Sequence, residues 1–181
     1  ADGRVAAVED TGLAATLRTR LTLTLPRGLT DDRERRHDET VACPVEVSVR
    51  LTTGAEHVEV TTRFTNRADD HRLRAWFPTG LAARTVVSDG HFLLNERPAV
   101  PPRGDDWVQP HPGTYPQQDF SAVTGSDGRG LAVLAAGLPE IAPHGERDGT
   151  VTLQLTLLRC VGWLSRDDLP TRRFANAGPT L

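Results

Sequence analysis

Apolar and polar residues alternate with a period of two along most of the chain, and no stretch of ten or more residues shows a convincing helical period. Residues 13–25, LAATLRTRLTLTL, set Leu17, Leu21, Leu23 and Leu25 against Arg18, Arg20, Thr22 and Thr24. Pro26, which lacks a ladder donor, ends that run. The segment PVEVSVRLTT points Val45, Val47, Val49 and Leu51 inward, Gly54 marks a turn, and HVEVTTRFTN points Val58, Val60, Thr62 and Phe64 inward. The two segments read as an antiparallel hairpin. DDHRLRAWFP then places Leu73, Ala75 and Phe77 on one face and Arg72, Arg74 and Trp76 on the other, with Pro78 and Gly80 closing the strand. Three such strands in succession are expected to form a meander whose apolar face needs a second sheet.

Short strands are expected around ARTVVS and HFLLNERP, then at Asp119–Val123 and Gly130–Ala136 on either side of the turn SDGRG. The last, over 149–159, carries Val151, Leu153, Leu155 and Leu157 on one face and reads as half-buried. About nine strands and no helix predict an all-β fold, an antiparallel β-sandwich, in a single domain over 1–181. Two stretches break the pattern. DDRERRHDE, residues 31–39, has nothing to bury and reads as a solvated loop. Residues 98–119 hold six prolines and no periodicity, and this long irregular loop carries Trp107 and Tyr115 in a chain with only 5% aromatics.

Composition narrows the class of partner. A net charge of -3 argues against nucleic acid or an anionic membrane surface as the main partner. No apolar run approaches the roughly 18–20 residues of a membrane-spanning helix. The chain has no Met, so a processed product or an excised piece of something larger is expected. All 21 basic residues are Arg, which GC-rich codon usage would explain. Cys43 and Cys160 read as two isolated buried thiols of a cytoplasmic protein, with a disulfide left open.

Catalytic signals are sparse. The six histidines are scattered at 37, 57, 71, 91, 111 and 144 without metal-ligand spacing, and there is no nucleophile elbow. SDGRG lacks the Lys and the strand–helix setting of a phosphate loop. The densest candidate is the C-terminal run GTVTLQLTLLRCVGWLSRDDLPTRRFANAGP, in which a strand feeds into Arg159, Trp163, Arg166, Asp167, Asp168, Arg172 and Arg173. Adjacent carboxylates on extended backbone point opposite ways, so Asp167 and Asp168 cannot by themselves flank a glycosidic bond. They either pair with neighbouring arginines or, with the guanidinium forks, hydrogen-bond polyol hydroxyls. Trp107, Tyr115 and Trp163 would then offer faces for stacking on a sugar ring.

The spans GTYPQQDF, GRGLAVLAAGLPE and LTLLRCVGWLSRDDLPTRRFANAGP, with VEVTTRFTNRADDHRLRAWFPTG and FLLNERP upstream, resemble the C-terminal β-domain of glycoside hydrolase family 38. That family comprises α-mannosidases and bacterial mannosylglycerate hydrolases, and LTLLRCVGWLSRDDL is similar to its bacterial branch. The resemblance implies a galactose-mutarotase-like supersandwich attached to an N-terminal catalytic barrel of the same polypeptide. It also implies a retaining hydrolase whose zinc and aspartate nucleophile belong to that barrel. This chain would then hold no catalytic residue and no metal, and would be inactive alone. It would pack on the barrel and lend the rim of the carbohydrate cleft Tyr115, Trp163, Arg166, Asp167, Asp168, Arg172 and Arg173. Pro170 and Phe174 depart from the animal pattern in the charged loop. A stand-alone carbohydrate-binding module is the second reading, and a pure docking domain for the barrel the third.

Overall fold

The computed structural model describes residues 4–102 and 111–161. Among these the chain forms strands and loops without a helix, in three antiparallel sheets. The residues cluster into two compact units, Ala1–His71 with Cys160–Leu181 and Arg72–Arg159.

The first unit contains a four-stranded sheet, β1 (Arg4–Asp10), β2 (Ala14–Pro26), β3 (Thr40–Thr52) and β4 (Val58–Phe64), in that spatial order. The β3–β4 hairpin has the register its alternation predicts: Val45 opposes Phe64, Val47 opposes Thr62, Val49 opposes Val60 and Leu51 opposes Val58. Gly54 occupies its turn at φ 79°, a conformation that costs a residue without Cβ little. The strand β1 was not legible in the sequence, because a register shift between Val5 and Ala7 interrupts its alternation. The opposite face of the sheet is laced by ion pairs. Glu46 on β3 accepts a hydrogen bond from Arg20 at 2.8 Å and lies within 3.9 Å of Arg18 and Arg63. The charge run 31–39 folds back through a Leu29–Arg36 bridge and stays largely exposed, as its composition predicts. Cys43 and Cys160 are both buried.

The second unit is a sandwich of two four-stranded sheets. One has the order β10 (Gly130–Leu134), β9 (Phe120–Thr124), β6 (Thr85–Gly90), β7 (Leu93–Pro98). The other has the order β5 (His71–Ala82), β12 (Thr150–Cys160), β11 (Glu140–Gly145), β8 (Tyr115–Pro116). Their inner faces share one core, to which Val86, Val123 and Val133 come from the first sheet and Ile141, Val151, Leu153 and Leu155 from the second. The β9–β10 turn is the hairpin that SDGRG predicts: Asp127 accepts the N–H of Arg129 and Gly128 sits at φ 80°.

Three expectations change. The strand expected to follow β4 in a meander does form, but β5 pairs with β12 in a different sheet. Nor do Pro78 and Gly80 close it. The Thr79 hydroxyl donates to the Val151 carbonyl at 2.6 Å and accepts the Leu81 N–H at 3.1 Å, which carries the strand past the proline to Ala82. The strand β12 is buried on both faces rather than one, because its polar residues have side-chain partners: Thr152 with Glu146, Gln154 with Arg74 and Thr156 with Glu140. The strand β11 was missed. Its Pro143 argues against a strand, yet lies beyond the reach of the two-residue β8, on an edge where no donor is needed.

Candidate functional site

Of the residues expected at a cleft rim, Tyr115 is described; Trp163, Arg166, Asp167, Asp168, Arg172 and Arg173 lie outside the described residues, as does Trp107. The site can therefore be built around the GTYPQQDF stretch, which turns from an irregular loop into β8 and then β9.

Gly113 opens the stretch at φ 71°, and its N–H donates to His111 Nδ1 at 3.0 Å. Tyr115 follows on the inner side of the sheet, 6% exposed, and its hydroxyl donates to the Pro98 carbonyl at 3.0 Å. The His111 ring meets it edge-on at 5.3 Å, and the Arg97 guanidinium lies 5.4 Å from its centroid. Burial pushes the phenol pKa up, with Arg97 pulling the other way. The tyrosine thus serves as core for the sandwich, with its polar tip already engaged.

The two glutamines, between β8 and β9, divide inward and outward. Gln117 is buried, and its Nε2 donates to the Leu138 carbonyl at 2.8 Å while its Oε1 accepts from Ser121 at 2.6 Å. Ser121 lies directly opposite Ser88 on the inner face, with their hydroxyls 2.7 Å apart. Ser121 has one proton and gives it to Gln117, so Ser88 is the donor of that pair. Gln118 points outward, with its amide 3.3 Å from His91 Nε2.

Asp89, at the end of β6, holds the stretch in place. Its carboxylate accepts the backbone N–H groups of Gln118 at 3.0 Å, Asp119 at 2.8 Å and Phe120 at 3.0 Å. Desolvation is the largest influence on this group and raises its pKa. The N–H groups of Phe120, Gln118 and Asp119 together outweigh it and hold the acid below 3.8. Asp89, Ser88, Ser121 and Arg97 gave no usable signal in the sequence, since each is an ordinary strand residue whose partners, the nearby Ser121–Gln117 pair apart, are distant in the chain. The arrangement offers outward hydrogen-bonding groups, Gln118 and His91, on a rigid base. It does not pair a nucleophile with a base. Among the described residues, no group of three or more His, Cys, Asp or Glu is clustered to hold a metal ion.

An antiparallel β-sandwich carrying a tyrosine-anchored loop is the class defined by this geometry. No family model matches the chain. The chain is 28% identical over 171 residues to a Halalkalibacterium halodurans protein named "Putative mannosylglycerate hydrolase", covering 87% of this chain and 18% of that protein. It superposes on an alpha-mannosidase from Enterococcus faecalis V583 with a TM-score of 0.73 and 25% identity, over 91% of this chain and 19% of the other. A glycosyl hydrolase family 38 protein from Enterococcus faecalis shares the fold with a TM-score of 0.71 at 23% identity, over 91% of this chain and 20% of the other. The similarity to glycoside hydrolase family 38 that the motifs carry is thus found again by sequence and by structure. The chain spans about a fifth of the length of these relatives.

Proposed function

We propose that this chain is the β-sandwich portion of an α-mannosidase-type glycoside hydrolase, packing on a catalytic barrel of the same polypeptide and completing the rim of its carbohydrate cleft. The observation that carries this reading is the match over 91% of this chain to about a fifth of an alpha-mannosidase structure. The zinc and the aspartate nucleophile that the resemblance implies belong, in this reading, to the barrel. In this reading the barrel forms and hydrolyses the covalent glycosyl intermediate. Trp163, Arg166, Asp167, Asp168, Arg172 and Arg173 supply hydrogen bonds and an aromatic face at the rim. Tyr115 acts from the core, through the loop it anchors.

The test compares the 181-residue chain with the longer polypeptide on an aryl α-mannoside. Turnover by the longer protein and none by the chain is expected; turnover by the chain alone overturns the reading. Titration of the chain with mannose and mannosylglycerate separates the alternative, because millimolar or tighter binding by the chain alone marks a stand-alone carbohydrate-binding module.

A further inference from the structure

The β1–β4 sheet has two faces of opposite character, one of them polar and ion-paired. On that face Arg20 pairs with Glu46 at 2.8 Å, Arg18 with Glu9 at 3.6 Å and Arg50 with Glu59 at 3.9 Å. On the other face, the register aligns two apolar rows across the strands. Val8, Leu17, Val49 and Val60 form one row, and Ala15, Leu51 and Val58, with Asp10 at the β1 end, the next. The register shift in β1 brings Val5 onto this same face, opposite Thr19. Towards its other end the face is covered, where Cys43 and Val45 are buried. The two rows are not: Val8 is 70% exposed, Leu17 42%, Val60 44%, Leu51 52% and Val58 53%. A hollow of about 300 Å³ opens beside Ala15 and Leu51 at the end of the rows. A sheet with one ion-paired face in water buries its other face, and a contiguous apolar patch of this kind marks an interaction surface.

We infer that the exposed half of this face is an internal interface, covered by an apolar layer of the same polypeptide from outside these 181 residues. The inference rests on the reading of the chain as part of a longer glycoside hydrolase, and it identifies the surface through which the chain packs. Size decides between occupants. A stable interface between free proteins takes roughly 20–30 residues a side, whereas the two rows hold seven apolar residues. So small a patch does not hold two separate copies together against the entropy of association, but it suffices within one polypeptide, where that cost is largely removed.

Thiol labelling tests it. Cys43 and Cys160 are buried, so an added surface cysteine dominates the fast reaction with a maleimide. Val60→Cys reports on the apolar face, and Thr61→Cys, its neighbour on the polar face, is the control. In the 181-residue chain both are expected to label at similar rates. In the longer polypeptide Val60→Cys slows by at least about tenfold, while Thr61→Cys is unchanged. Equal labelling of Val60→Cys in both proteins overturns the inference. So does protection that appears in the short chain alone and rises with its concentration, which would make a second copy the occupant. Val58→Cys, in the adjacent row, replaces Val60→Cys should the latter fail to fold. Labelling is independent of turnover: protection without α-mannosidase activity would sink the proposed function and leave the interface standing.

Discussion

The Tyr115 hydroxyl donates to the Pro98 carbonyl at 3.0 Å, tying the start of β8 to the end of β7 across 17 positions. A residue expected from motif to face a ligand is also the staple of the loop that carries it. Removing the hydroxyl as Tyr115→Phe leaves the Pro98 carbonyl without this donor and keeps the ring in the core. The expected cost is about 1 kcal/mol of stability, read as a lowered denaturant midpoint at unchanged slope. An unchanged midpoint would show that the bond contributes nothing to the fold.

Asp89 ties the start of β9 to the end of β6 through three backbone N–H groups, at 2.8–3.0 Å. Its pKa is held below 3.8 in the folded chain, so the folded state binds this proton less tightly than the unfolded one. The stabilisation is therefore present above about pH 4 and is lost as the pH falls through the lower folded value. Asp89→Asn should melt below wild type at pH 7, and the gap should narrow towards pH 3. A gap that stays constant over that range would remove the carboxylate charge from the explanation.

The buried chain Ser88–Ser121–Gln117 runs in one direction, so its members are not equivalent. Ser121→Ala strips Gln117 Oε1 of its donor and Ser88 of its acceptor, at an expected cost of roughly 1–3 kcal/mol. Ser88→Ala removes only the outer donor and should cost about 1 kcal/mol. The double variant should fall short of the sum, as coupled neighbours do. Additive costs in a double-mutant cycle would show that the two hydroxyls act separately.

Leu153 and Leu51 were equally apolar strand positions by pattern, yet one is 0% exposed and the other 52%. Leu153→Ala should cost roughly 2–5 kcal/mol, from lost burial plus the cavity left among Ile141, Val151 and their neighbours. Leu51→Ala should cost less than about 1 kcal/mol in the 181-residue chain. Chemical denaturation of the two variants checks the contrast, and similar losses would contradict the exposure of the β3 row.

By itself, the sequence determined most of the segments that extend and how the β3–β4 hairpin pairs, because a period of two and a short turn leave one register that keeps the apolar set together. That is why Val45 to Leu51 meet Phe64 to Val58 as expected. It also determined the SDGRG turn, which depends on local chemistry. Tertiary structure alone decided which sheet each strand joins. Periodicity records that β5 has an apolar side, not that β12 rather than β4 will be its neighbour. Burial followed the same rule: β12 is covered on both faces while the rows through Leu17 and Leu51 are exposed on their apolar side, although all of them alternate. The site shows the limit most clearly. GTYPQQDF was legible as a loop of consequence, but Asp89 and Pro98, which hold it, lie 17 or more positions upstream of the groups they bind. Only folding brings a carboxylate to three N–H groups so distant in the chain.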